Sequence, residues 1–177
     1  MNKLKRNLVL TGMMGSGKST IGKSLSNQLN LKFVDIDNII EKKLSLSISQ
    51  IFESKGEDFF RDKEREETIK ALNNENIVIA LGGGAFMDET IMENIKKSSF
   101  SVWLDINIDK IFQRTKTSKK RPLLKNISKE SLEKLYEERK KTYLLADCKI
   151  NCNFKTKDKI VEEIKKLYEN TQNKSKE

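Results

Sequence analysis

The chain contains no histidine, a single proline, a single tryptophan and two cysteines. Without histidine, and with only Cys148 and Cys152 as sulfur donors, a structural zinc site has too few ligands. The stretch Cys148-Lys149-Ile150-Asn151-Cys152 reads as a strand, and four strand residues span about 13 Å, beyond the ~7 Å limit for a disulfide. The two are therefore expected as free thiols on one side of a sheet, which suits a reducing compartment. No stretch approaches the ~18 apolar residues that a membrane span needs. Lys3, Lys5 and Arg6 ahead of Leu8-Val9-Leu10 mimic the start of a secretory leader. The apolar run fails at Gly12, and no small-residue cleavage site follows. A cytoplasmic protein is expected. Collagen, mucin, disulfide-knot and membrane classes are excluded.

What is present suits one domain: 177 residues, within the usual size range. Leu, Ile, Val and Phe make up more than a quarter of the chain, enough for a core. With 35 basic and 26 acidic side chains the net charge is +9. Such a balance is compatible with nucleic acid, an acidic membrane surface or anionic small molecules, or with drift in a Lys-, Asn- and Ile-rich composition. The basic residues concentrate from Lys110 to Lys125, where seven stand with no acidic residue and with the single proline, Pro122. That run lacks the interleaved aromatics that base stacking requires.

Short apolar runs alternate with amphipathic ones. Strands are predicted at Leu8–Thr11, Lys32–Asp35, Ile77–Leu81, Ser101–Leu104 and Cys148–Cys152. Helical patterns occupy Lys18–Leu29, Ile39–Lys43, Ile48–Lys55, Arg61–Asn73, Asp88–Lys97, Ile108–Arg114, Lys129–Ala146 and Lys157–Tyr168, with a frayed end from Thr171. Five apolar strands separated by helices predict an α/β fold with a parallel sheet covered on both faces. Glycines cluster at Gly12–Gly22 and Gly82–Gly84, each after a strand, at the edge where open α/β sheets bind ligands.

Gly12-Met13-Met14-Gly15-Ser16-Gly17-Lys18-Ser19 matches G-x-x-x-x-G-K-[ST] between a strand and a helix. Glycines let backbone N–H groups converge on phosphate oxygens. The following helix turns its positive end to the same anion. Lys18 supplies charge to the β- and γ-phosphates, and Ser19 can ligate Mg²⁺. This is a nucleoside-triphosphate site. Two strand ends compete to supply the metal-side carboxylate: Asp105 after Val102-Trp103-Leu104, and Asp35 or Asp37 in Phe33-Val34-Asp35-Ile36-Asp37. If the chain stays extended, Asp35 and Asp37 face a similar side, one for the metal and one for a substrate. Gly82-Gly83-Gly84 would admit a ligand very close to the backbone. Arg61, Arg121 and Arg139 are candidates for binding carboxylate or phosphate through their planar forks.

The ordered set Gly12–Gly22, Phe33–Asp37, Phe60–Glu64 (F-R-D-K-E), Gly82–Ala85, Arg121–Leu124 (R-P-L-L) and Glu138–Tyr143 (E-R-K-K-T-Y) resembles the shikimate kinase family. That family sits in the nucleoside-monophosphate-kinase-like branch of the P-loop fold. The resemblance runs from Asn7 to about Tyr168. It implies a three-layer P-loop fold with a five-stranded parallel sheet, a substrate-binding region at about residues 36–73 and a lid at about 116–126. The implied reaction is transfer from Mg·ATP to the 3-hydroxyl of shikimate, on the way to chorismate and the aromatic amino acids. By resemblance Gly15, Ser16, Gly17, Lys18, Ser19, Thr20, Arg114 and Arg121 bind ATP, with Arg114 near adenine. Ser19 and Asp35 serve Mg²⁺, and Asp37 is the base. Asp37, Arg61, Arg139 and Gly82–Gly84 hold shikimate, the two arginines clamping its carboxylate; Lys18 and Arg121 act in catalysis. Asp105 is then a plain strand-end residue. A monomer is expected, with no nucleic-acid or membrane partner; gluconate or nucleotide kinases are the alternatives. One departure stands out: the family's R-x-P-L-Y is Arg139-Lys140-Lys141-Thr142-Tyr143 here, so the arginine–tyrosine spacing survives without the proline kink.

Overall fold

The computed structural model describes residues 7–117 and 127–174. Five strands form one parallel sheet: β1 (Asn7–Thr11), β2 (Lys32–Asp35), β3 (Ile77–Ala80), β4 (Ser99–Asp105) and β5 (Cys148–Asn151), in the order β2-β3-β1-β4-β5. The three inner strands are buried almost throughout, and the two edge strands are partly exposed. This is why β1, β3 and β4 carry near-continuous apolar runs. Register aligns Leu10 with Ala80 and Val102, and Ala80 with Asp35. Because all strands run the same way, the loops after β1, β2, β3 and β4 emerge along one edge.

Among the described residues seven α-helices flank the sheet: α1 (Lys18–Leu29), α2 (Ile36–Leu44), α3 (Ile48–Leu72), α4 (Glu89–Ser98), α5 (Ile108–Thr117), α6 (Lys129–Tyr143) and α7 (Lys157–Lys174). No helix among the described residues is long and apolar enough to cross a membrane. Residues 116–117 of the expected lid form the end of α5, and the rest of it, with Arg121, lies outside the described residues.

Three sequence expectations are corrected. The strand ends at Asp35 as predicted, but the extension to Asp37 on which a shared side was conditioned is not met: the Asp35 carboxylate caps α2 by accepting from the Asn38 N–H at 3.1 Å. The cap has the β-region backbone that an N-cap needs, so Asp37 stands in a helical turn. The two helices predicted on either side of Gly56 meet directly. Gly56 (φ 84°, ψ 170°) is a kink, and helix resumes at once. Arg61 is therefore inside a helix rather than at its start. Finally, α7 continues past Tyr168 to Lys174. Ile160, Val161, Ile164 and Tyr168 are buried along it, and the Tyr168 ring lies 6.3 Å from that of Phe100. In the added turn the Thr171 hydroxyl donates to the Leu167 carbonyl at 2.9 Å.

Candidate active site

The loop between β1 and α1 is shaped by backbone rather than side chains. Gly12, Gly15 and Gly17 have φ of +135°, +75° and +100°, values strained for other residues. Gly12 also lacks room, since a Cβ would stand 2.7 Å from the Leu104 carbonyl oxygen. The Ser16 N–H closes a turn onto the Met13 carbonyl at 3.1 Å. α1 then begins at Lys18, so the N–H groups of Lys18, Ser19 and Thr20 lack intrahelical acceptors and point back toward the loop. The buried Lys18 ammonium donates to the carbonyls of Gly12 (2.7 Å) and Met13 (2.9 Å). Ser16 Oγ is buried without a hydrogen-bond partner among the described residues. Arg114, from α5, donates to the Gly15 carbonyl at 2.8 Å.

Beside this loop the Ser19 hydroxyl donates to Asp35 Oδ2 at 2.5 Å. Asp105 is engaged elsewhere: it accepts from the Tyr136 hydroxyl at 2.8 Å and pairs with Lys149 at 2.9 Å. Those contacts tie β4 to α6 and β5. Among the described residues no group of three or more His, Cys, Asp or Glu could hold a metal. Ser19 Oγ and Asp35 Oδ2 thus stand as two adjacent hard oxygens at the edge of the loop.

A cleft open to solvent lies against this loop through Met14. Its apolar wall includes Ile48, Phe52 and Phe60, and its polar wall Asp37, Arg61, Glu64 and Arg139, with Gly83 and Gly84 between. Glu57, Arg61 and Glu64 follow the kink at Gly56 and share one face of α3 by their spacing. Arg61 donates to Glu64 Oε2 at 2.7 Å through Nη1, and to Glu57 Oε1 through Nε and Nη2 at 3.1 and 2.9 Å. Glu64 is 2% exposed. Burial pushes its carboxyl above the ordinary value; Arg61 opposes the rise and Asp37 adds to it.

The glycine triplet works by absence of side chains, none of the three having positive φ. A Cβ on Gly82 would collide with Glu64 Oε1 and stand 2.8 Å from Asp37 Oδ1. On Gly83 it would stand 3.1 Å from the Met14 nitrogen, and on Gly84 2.7 Å from Arg61 Nη1. Arg139 Nη1 donates to the Gly83 carbonyl at 3.1 Å, and the Tyr143 hydroxyl to the same oxygen at 2.5 Å. Arg139 thus reaches the cleft without the proline. Asp37, Arg61, Gly83, Gly84 and Arg139 converge on this cleft, while Lys18, Ser19 and Asp35 stand at the phosphate loop beside it.

Glu64 and Tyr143 are the neighbours that residue-by-residue reading left without a role. Both carried a signal: Glu64 follows Arg61 by three residues and Tyr143 follows Arg139 by four, spacings that share a helix face.

The protein-family model described as "Shikimate kinase" matches residues 14–169. The chain is 46% identical to the shikimate kinase of Sulfurihydrogenibium sp. strain YO3AOP1 over 159 residues, which cover 90% of this chain and 95% of that one. Among solved structures, the shikimate kinase of Acinetobacter baumannii in complex with shikimate superposes with a TM-score of 0.88 at 31% identity, covering 94% of both chains. That of Aquifex aeolicus gives a TM-score of 0.80 at 41% identity, covering 93% of this chain and 96% of the other. Matched from the phosphate loop to the last helix, and in three dimensions over the whole sheet, the chain belongs to the shikimate kinase family of P-loop kinases.

Proposed function

We propose that this chain carries out its family's reaction, ATP-dependent phosphorylation of shikimate, with ATP on the β1–α1 loop and shikimate in the adjoining cleft. The observation that carries the reading is the shared wall at Met14 and Gly83. It sets an arginine-lined cleft for a carboxylic acid directly beside a phosphate loop. Arg61 and Arg139 take the acceptor's carboxylate, and the glycine loop backs it. Asp37 accepts the proton of the 3-hydroxyl as that oxygen bonds to the γ-phosphorus and the bond to the ADP oxygen breaks. Phosphoryl transfer of this kind asks the protein mainly for positioning and charge stabilisation. Lys18 supplies positive charge at the γ-phosphoryl group, and Arg121 is assigned the same task from the lid. Arg114 borders the nucleotide through its bond to Gly15.

Two adjacent hard oxygens, from Ser19 and Asp35, suit Mg²⁺, which commonly takes one or two protein ligands and completes its shell with phosphates and water. When bound, the ion neutralises charge on the phosphate oxygens. The substrate-binding region is assigned to residues 36–73, which span α2 and α3.

ADP release against hydroxy acids, sugars and nucleotides tests the reading. Turnover is expected with shikimate. Turnover of gluconate or a nucleoside monophosphate, with none for shikimate, would overturn it.

A further inference from the structure

We infer that Tyr143 is a positioning residue for the acceptor site, acting through the Gly83 carbonyl and Arg139. The inference rests on the reading of Arg139 as a clamp for the acceptor's carboxylate. Tyr143 is fully buried, so it does not meet the acceptor itself. Its hydroxyl donates to the oxygen that also receives Arg139, at 2.5 and 3.1 Å. A carbonyl oxygen has two lone pairs, and these two donors from successive turns of α6 use both. With the hydroxyl on one lone pair, the Arg139 N–H is held to the other and the remainder of its fork keeps one orientation.

The tyrosine is well placed to set that geometry because its own ring cannot swing. It stacks on Trp103 with centroids 5.7 Å apart and planes at 26°. Trp103 is itself fully buried and stands opposite Thr11, the residue before the phosphate loop. The Tyr143 oxygen also lies 3.8 Å from Met13 Sδ in that loop. Gly83 is wedged on its other side against the Met14 backbone. The Gly83 carbonyl is thus fixed relative to both the phosphate loop and the cleft. Since a peptide unit is planar, the Gly84 N–H on the opposite side of that unit is fixed with it, at the wall of the acceptor cleft. Burial pushes the phenol up to about 12, so it remains a donor at any working pH.

Tyr143→Phe removes the hydroxyl and keeps the stacked ring, so the fold is retained. Steady-state kinetics should show the KM for shikimate raised roughly fivefold, the worth of one net hydrogen bond, with the KM for ATP within twofold of the unaltered protein. In an Arg139→Ala background the same change should have little further effect, because a residue that acts through Arg139 has nothing left to position. Thermal melting is followed in parallel. An unchanged KM for shikimate, an equal rise in both KM values, or additive effects in the double variant would overturn the inference, whatever the melting temperature does. If the unaltered protein shows no shikimate-dependent ADP release, the functional reading falls and takes the inference with it. If it does and Tyr143→Phe behaves like it, the inference falls alone.

Discussion

Ser19 Oγ donates to Asp35 Oδ2 at 2.5 Å, joining the first turn of α1 to the cap of α2 through one hydrogen bond. Asp35 thus performs two tasks, one oxygen holding the Asn38 N–H and the other facing the phosphate loop. Asp105, at the end of β4, instead binds Tyr136 and Lys149.

A magnesium titration should separate the two. Asp35→Ala is expected to raise the Mg²⁺ concentration for half-maximal activity by about tenfold, as losing one charge-assisted ligand bond would. Asp105→Ala should leave that concentration unchanged while costing about 1–2 kcal/mol of stability through the lost Tyr136 bond. The reverse order would place the metal at the end of β4 and overturn the assignment to Asp35.

Lys18→Ala should lower kcat by at least about 100-fold, the scale found when one donor to a developing charge is removed. Its ammonium is held in the loop by two carbonyls. Near-normal turnover in the variant would remove the phosphate loop from the mechanism.

Arg61→Lys keeps a positive charge but loses the fork that engages Glu57 and Glu64 together. The expected result is a kcat/KM for shikimate reduced about 10- to 100-fold, with the KM for ATP little changed. A selective defect in ATP binding would instead put this guanidinium on the nucleotide. Arg61→Ala should cost stability as well, about 3 kcal/mol, because Glu64 is buried and loses its ion-pair partner.

Gly82→Ala tests whether the triplet serves close packing. A methyl group there runs into Glu64 Oε1, which is pinned by its pairing with Arg61, and crowds Asp37 Oδ1. Overpacking of this kind costs about 1–3 kcal/mol, and displacement of either carboxylate should depress turnover more than ATP binding. A variant with normal melting and normal turnover would show that the loop yields without consequence.

Glu64 also predicts a pH dependence. Its folded value is raised above the 4.5 of the free side chain, burial being the largest cause. The folded protein therefore holds this proton more tightly. The resulting stabilisation is full below about pH 4.5 and is lost as pH rises through the folded value. Glu66, lowered to about 2 by hydrogen bonds from Lys63 and Lys70, acts with the opposite sign and below pH 4.5. Urea unfolding from pH 4.5 upward should show stability falling with pH, and Glu64→Gln should flatten the slope. An identical slope in the variant would sink the assignment.

The phosphate loop was legible in the sequence because its demands are local. A tight turn, a lysine and a hydroxyl within eight consecutive residues need no distant partner. The parallel sheet was legible too, since apolar runs such as Ile77-Val78-Ile79-Ala80 have few alternatives once both faces are covered. The roles given to Asp35, Asp37, Arg61, Arg121 and Arg139 came from the likeness of ordered motifs rather than from local chemistry. Before that likeness, Asp35 and Asp105 were equivalent, each an acid ending an apolar strand. Tertiary structure separated them, because strand order and helix packing decide which carboxylate meets Ser19 and which meets Tyr136. It also decided that Asp35 caps a helix, that the helix resumes directly after Gly56 and so sets Glu57 one turn before Arg61, and that Gly83 receives two donors from α6. Each of these depends on contacts between segments far apart in the chain or on a helix geometry that packing selects. Local composition carries no record of either.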